Sequence, residues 1–302
     1  MKRIVCIGQA FYNISAVVEK YPEEGEMQRF INKEACGGGS ANNIAYMLAS
    51  WGNQVALSAV IGNDTYGNKI KDELNSLKVD LRYLETTFEK DTIIEYNMVN
   101  KTNGVISTSV LSDDFVKLKR YDYDFIPDAI ISDGHDYYAS KNNILKFPKS
   151  LSIANLYHYN NESIELCKIS KLLIMSSKFV EKLIGSKFDC TNPQAMAQIY
   201  HAVAKKFENK IILIVLEEYG VIYSLNNEIK ISPALKVPVV DRSGATDVFA
   251  SAFIHSYLVD NDLERAIKYG CIAYSMSLSI LGIKKSIPTL DNVVKYYEQN
   301  YR

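Results

Sequence analysis

Short runs of branched apolar residues alternate with segments of helical periodicity along most of this sequence, and few architectures accommodate that alternation. Arg3 to Ile7 is a β-branched run ending at Gly8, and Ser40 to Ser50 carries apolar residues at helical spacing. Residues 54–61 form a second apolar run closed by Gly62, and residues 65–77 return to an amphipathic helical pattern. Residues 129–132, 151–154, 172–175 and 211–216 are further strand candidates with helical patterns between them, and from Gly244 on the chain reads as mostly helical. Apolar runs without polar alternation are buried on both faces, which requires a mainly parallel sheet with helices on either side: a doubly wound α/β fold. Ligands of such sheets sit beyond the carboxyl ends of the strands. Residues 14–31 and 92–110 break the rhythm, being rich in β-branched and aromatic residues with polar alternation, and read as strands of a small accessory sheet. No repeat, low-complexity tract or Pro/Gly-rich linker divides the chain, so residues 1–302 are expected to form one domain.

Charge and cysteine usage narrow the partners. Lys and Arg number 34 against 35 Asp and Glu, a net charge of −1, which provides no footprint for nucleic acid or an anionic membrane. A small molecule is the expected partner. The N-terminus MKRIVCIG reaches the polar Gln9 and Asn13 within a few apolar residues, too short for a signal-peptide core or a bilayer span, so a cytoplasmic address is expected. The five cysteines show no CxxC or Cys/His spacing and read as reduced, mostly buried small hydrophobes.

Two loops can carry chemistry. In Gly37-Gly38-Gly39-Ser40-Ala41-Asn42-Asn43-Ile44-Ala45, three glycines let a backbone approach a ligand, and the asparagines can donate to and accept from hydroxyls. That composition suits a polyol; the same stretch also reads as a helix entry capped by Ser40. In Asp241 to Phe249, Gly244 leads into a helix whose unpaired N–H groups and dipole form an anion site. With a phosphoryl group there, Asp247 in the first turn would accept the proton of an attacking hydroxyl. Alternatively Asp247 only complements the helix N-terminus, worth about 0.3–1 kcal/mol.

Other motifs fall away. The stretch from Gly62 to Lys69 has the glycine spacing of a Walker A loop, but Asn68 stands where the lysine belongs. No GxGxxG follows the first strand, no GxSxG elbow occurs, and the four histidines lack metal-ligand spacing, so no protein metal site is expected.

Taken in order and at this separation, the two loops resemble the ribokinase-like, or PfkB, family of carbohydrate kinases over nearly the whole chain. Gly38-Gly39 with Asn43 and Gly52 is similar to its N-terminal signature, residues 61–67 to the segment after its second core strand, and residues 241–249 to its C-terminal signature. Residues 20–24, 131–135 and 217–220 look closest to the ketohexokinase and sulfofructose kinase branch. Ser176-Ser177-Lys178-Phe179 stands where many members carry Asn-x-x-Glu.

The resemblance implies a ribokinase-like fold, with lid strands within about residues 14–36 and 91–112. It implies ATP-dependent transfer, with magnesium arriving on the nucleotide, to a hydroxyl of a small sugar such as a ketose. Asp247 would be the general base, and the N–H groups of Gly244, Ala245 and Thr246 the anion hole. Asn13, Gly38, Gly39 and Asn43 would contact the sugar; Arg242, Glu218, Tyr219 and Gly220 would lie near the nucleotide. The open, partly apolar edge of the lid is a place for a second subunit to pair. Two residues depart from the pattern: Asn13 replaces an aspartate that accepts from substrate hydroxyls, and Thr246 replaces the glycine before the catalytic aspartate. They open a second reading, a sugar- or nucleotide-binding protein with impaired catalysis; a nucleoside or pseudouridine kinase, which shares the loops but not the substrate, is a further one.

Overall fold

The computed structural model of the chain describes residues 1–104, 106–110, 116–119 and 122–301. Part of the second lid segment, residues 105, 111 and 112, lies outside the described residues. The strands are β1 (Arg3–Ile7), β2 (Phe11–Val18), β3 (Asn32–Gly38), β4 (Gln54–Gly62), β5 (Leu84–Thr87), β6 (Ile94–Asn100), β7 (Ile106–Val110), β8 (Ala129–Ser132), β9 (Leu151–Leu156), β10 (Leu172–Ser176), β11 (Ile211–Val215), β12 (Val221–Leu225) and β13 (Glu228–Ser232). The α-helices are α1 (Ser40–Ser50), α2 (Thr65–Ser76), α3 (Tyr137–Lys146), α4 (Asn161–Ile169), α5 (Ser177–Ile184), α6 (Pro193–Lys206), α7 (Ala245–Asp260), α8 (Leu263–Ser277) and α9 (Leu290–Tyr301).

Nine strands form the large sheet in the order β13-β12-β11-β10-β9-β8-β1-β4-β5, parallel from β11 to β5 and antiparallel in the β12–β13 hairpin. The chain winds outward from β1 through β4 to β5, then returns to the other side of β1 and continues through β8, β9, β10 and β11. That reversal opens a crevice beyond the carboxyl ends of β1 and β8. Side chains of β1 divide as a two-sided sheet requires: Ile4 and Cys6 enter one apolar layer, Val5 and Ile7 the other, all fully buried.

The small sheet has the order β3-β2-β6-β7, with β2 parallel to β6 and the outer pairs antiparallel. Its strands do not fill residues 14–31: β2 starts earlier, at Phe11, and stops at Val18, and the next strand begins only at Asn32. The polar run Glu19 to Glu26, with Pro22 and Gly25 inside it, has no apolar face to lay on a sheet, which is why pairing ends there. β3 then runs through Gly37 and Gly38, so these two glycines are strand residues rather than loop residues. Asp64 joins the two sheets. Its Oδ1 caps α2 by accepting from the Tyr66 and Gly67 N–H groups, and its Oδ2 accepts the N–H of Thr92 at the foot of β6.

Helix α7 carries the second signature into the interior. Phe249, Phe253 and Tyr257 stack along it with centroids 6.2 and 5.5 Å apart, and α1 and α8 pack alongside. Close contact with α8 depends on Gly270, where an added Cβ would lie 2.5 Å from the Phe249 ring. Gly270→Ala is therefore expected to destabilise the chain by about 1–3 kcal/mol, seen as a lower urea midpoint at unchanged slope. An unchanged midpoint would show that the ring can move aside.

Candidate active site

Both signatures end at the crevice. Gly39 turns the chain from β3 into α1 with φ of 93°, and a Cβ there would lie 2.5 Å from the Gln9 carbonyl oxygen. Gly38 lies under Phe11, whose ring would be 2.9 Å from an added Cβ, while the N–H of Gly37 donates to the carboxylate of Glu73 at 2.9 Å. Ser40 is not the helix cap: Gly39 holds that position without a side-chain bond, and the Ser40 hydroxyl points to Asp247 instead.

Asp247 sits in the first turn of α7 and gathers three donors from two other elements, α1 and β9. Its Oδ1 accepts from Ser40 Oγ at 2.7 Å and from Asn155 Nδ2 at 3.2 Å, and its Oδ2 accepts from Asn43 Nδ2 at 2.9 Å. Asn155 also donates to Ser40 Oγ at 3.0 Å, so the three groups brace one another. Burial raises the Asp247 pKa above the ordinary carboxylate value, opposed by the bonds from Asn43 and Ser40, the charge of Lys284 and the bond from Asn155. Such a carboxylate is a better proton acceptor than a solvated one and has fixed oxygens.

The loop before α7 is built around Asp241, which is 3% exposed. Its Oδ1 accepts the Ser243 N–H at 2.8 Å and its Oδ2 the Gly282 N–H at 2.9 Å, fastening the turn to the loop after α8. Gly244 is left-handed with φ of 67°, and its amide starts the helix whose first N–H groups have no intrahelical acceptor. The Ala245 N–H makes only a long bond, 3.3 Å, to the Arg242 carbonyl. Among the described residues the buried Ser243 hydroxyl has no hydrogen-bond partner. Thr246 lies inside the helix and is not among the residues of positive φ, so its branched side chain imposes no backbone strain.

The other expected residues fall into two groups. Asn13, 1% exposed on β2, accepts from Ser15 Oγ at 2.8 Å and donates to Glu95 Oε2 at 2.9 Å on the adjacent strand β6. Burial raises the Glu95 pKa, with the charge of Asp247 adding to it, and a Cβ added at Gly38 would lie 3.1 Å from Asn13. Arg242 pairs with Glu218 at 2.8 Å and lies 3.8 Å from Glu217, bringing the segment of Glu218, Tyr219 and Gly220 beside the turn before α7. Gly220 has φ of 98°, and a Cβ there would collide with the Ser232 carbonyl at 2.0 Å.

Sequence reasoning passed over Asn155, Glu95 and Lys284. The one available signal for Asn155 was its place at the carboxyl end of a strand candidate. Among the described residues its Oδ1, buried on the side chain that reaches Asp247, has no hydrogen-bond partner. Among the described residues no group of three or more His, Cys, Asp or Glu side chains could hold a metal ion. No helix among them is long and apolar enough to cross a membrane.

The family model described as pfkB family carbohydrate kinase matches residues 1–120 and 163–290. The chain therefore belongs to the pfkB family of carbohydrate kinases, phosphotransferases that act on a sugar hydroxyl, and has the ribokinase-like α/β fold with its small separate sheet. It is 23% identical to the ATP-dependent ribose-1-phosphate kinase of Halopiger xanaduensis over 305 residues, covering 100% of both chains. It is 22% identical to the nucleoside kinase of Methanocaldococcus jannaschii, covering 99% of this chain and 98% of that one. The Arabidopsis thaliana ribokinase structure complexed with ribose and ATP superposes with a TM-score of 0.77 at 19% identity, covering 97% and 98% of the two chains.

Proposed function

We propose that the protein transfers the γ-phosphoryl group of ATP to a hydroxyl of a small sugar, with Asp247 as general base. The observation that carries this reading is the convergence of Ser40, Asn43 and Asn155 on the carboxylate of Asp247, one turn from an anion-binding helix N-terminus. In the transfer, Asp247 takes the hydroxyl proton, the hydroxyl oxygen bonds to the γ-phosphorus, and the bond from that phosphorus to the β–γ bridging oxygen breaks, releasing ADP. The N–H groups of Gly244, Ala245 and Thr246 hold the charge on the transferred group. Ser243 Oγ, buried and without a hydrogen-bond partner among the described residues, fits a phosphate oxygen as its acceptor.

Gly38, Gly39, Asn43 and Asn13 line the sugar side. Asn13 has no charge, and Glu95, which accepts from Asn13 Nδ2, supplies the charged acceptor for sugar hydroxyls that Asn13 lacks. Arg242, Glu218, Tyr219 and Gly220 lie on the nucleotide side, and magnesium comes with the nucleotide phosphates. The small sheet is the lid that excludes water, a competing acceptor, and its outer edge is where a second copy would pair. We read residues 1–302 as one kinase domain working in the cytoplasm.

A ketose is the acceptor that segments 20–24, 131–135 and 217–220 favour. A nucleoside is the second reading, supported by the likeness to the nucleoside kinase of Methanocaldococcus jannaschii. ADP release from Mg-ATP, measured with D-fructose, D-ribose, 2-deoxy-D-ribose, other aldoses and nucleosides, is expected to rise above the water background with a free sugar. Release with nucleosides alone would replace the sugar reading, and no release above background with any acceptor would leave a binding protein.

A further inference from the structure

Lys284 belongs to none of the motifs above, yet it touches the sugar-side asparagine. Its loop is held from two directions: Asp241 accepts the Gly282 N–H, and Ile283 packs on Gly244. The side chain crosses the ring of Tyr46, with the ammonium 4.3 Å from its centroid, and donates to Asn43 Oδ1 at 3.2 Å. An ammonium has donors and no acceptor, so it fixes which end of the Asn43 amide faces it. The other end, the NH2 group, is thereby aimed at Asp247 Oδ2, 2.9 Å away. Without the cation the amide could turn over with little change of shape, presenting an oxygen to a carboxylate oxygen.

We propose that Lys284 is a positioning residue for phosphoryl transfer, which through Asn43 orients the donor on Asp247 and sets a positive charge beside that buried carboxylate. The proposal rests on Asp247 being the general base. Lys284 is faced by Glu73 from α2, Cys36 from β3, Asp247 from α7 and the Tyr46 ring from α1. Asp247 is faced by Lys284 and by two carboxylates that oppose its ionisation, Glu95 on β6 and Asp133 after β8. Burial pushes the Lys284 ammonium down to about 8 against the pull of Cys36, Glu73 and Asp247, so it is charged at neutral pH and loses its proton in the mildly alkaline range.

The test follows the Asp247 carboxyl by carbon NMR of protein labelled at aspartate, assigned with Asp247→Asn, in the wild type, Lys284→Met, Lys284→Gln and Lys284→Arg. Removing a positive charge raises a carboxyl pKa, so both neutral variants are expected to titrate about one pH unit higher than the wild type, with Lys284→Arg close to the wild type. In kcat profiles with Mg-ATP and the best sugar of the panel, the acid limb moves up equally while KM for ATP stays constant. The alkaline fall of the wild type disappears in Lys284→Arg, whose guanidinium keeps its proton. A wild-type Asp247 midpoint in whichever neutral variant folds overturns the proposal. If Asp247→Asn turns over like the wild type, the base reading fails; if it is inactive and the midpoint does not move, the Lys284 proposal alone fails.

Discussion

Asp247→Asn is expected to lower kcat by about 100- to 10,000-fold while leaving KM for ATP within a few-fold, measured by ADP release with the best acceptor of the panel. The substitution keeps the shape of the side chain but takes away the group that would accept the hydroxyl proton. It also places an NH2 group among Ser40, Asn43 and Asn155, all of which donate to this carboxylate in the native chain. The wild-type profile carries the same signature. With Asp247 as the proposed base, activity would need the ionised carboxylate, and burial raises its pKa, so kcat is expected to fall on acidification at a higher pH than a solvated aspartate would give. Equal turnover by wild type and variant would remove Asp247 from the chemistry.

Gly244→Val should lower kcat by about 100- to 1,000-fold and also destabilise the chain. Gly244 has φ of 67°, a region that a β-branched residue enters only under strain, and a Cβ there would lie 2.9 Å from Ile283. Relief of that clash shifts the first turn of α7, misplacing both Asp247 and the N–H groups that would receive the transferred phosphoryl, and a lost donor of that kind costs about 2.7–4 kcal/mol. Gly52→Val is the control: its φ is 82°, but nothing lies within 4 Å of an added Cβ. The control should lose stability without a specific loss of turnover. A Gly244→Val enzyme with wild-type kcat would separate the turn from catalysis.

Much of the large sheet was legible because its strands are apolar on both faces, a pattern that needs no tertiary knowledge. Arg3–Ile7 and Ala129–Ser132 have the expected boundaries, and the helix Ser40–Ser50 starts and stops where its periodicity does. The β12–β13 hairpin was missed although Asn226 and Asn227, with φ of 53° and 66°, form the two-residue turn that joins antiparallel strands. The four-residue strand Leu84–Thr87 is too short to show a period.

The two signatures supplied Asp247, Asn43 and the glycines. Asn155 and Lys284 could not be read, because their neighbours are chosen by crossovers and loop packing rather than by adjacent residues. Glu95 was hidden for a related reason: its partnership with Asn13 depends on the parallel register of β2 with β6, which joins segments 82 residues apart.

The span of those bonds also sets the order in which the chain can become competent during synthesis. Asn43 meets Asp247 across 204 positions and Lys284 across 241. Contacts of such separation carry the largest loop-closure cost and form late in folding. A nascent chain can therefore complete β1, α1 and β4 long before it holds a finished carboxylate pocket, and it reaches that state only once the loop after α8 has docked. Until then the glycine turn and its asparagines are exposed with their eventual partners still unmade, so assembly of the pocket coincides with closure of the whole polypeptide.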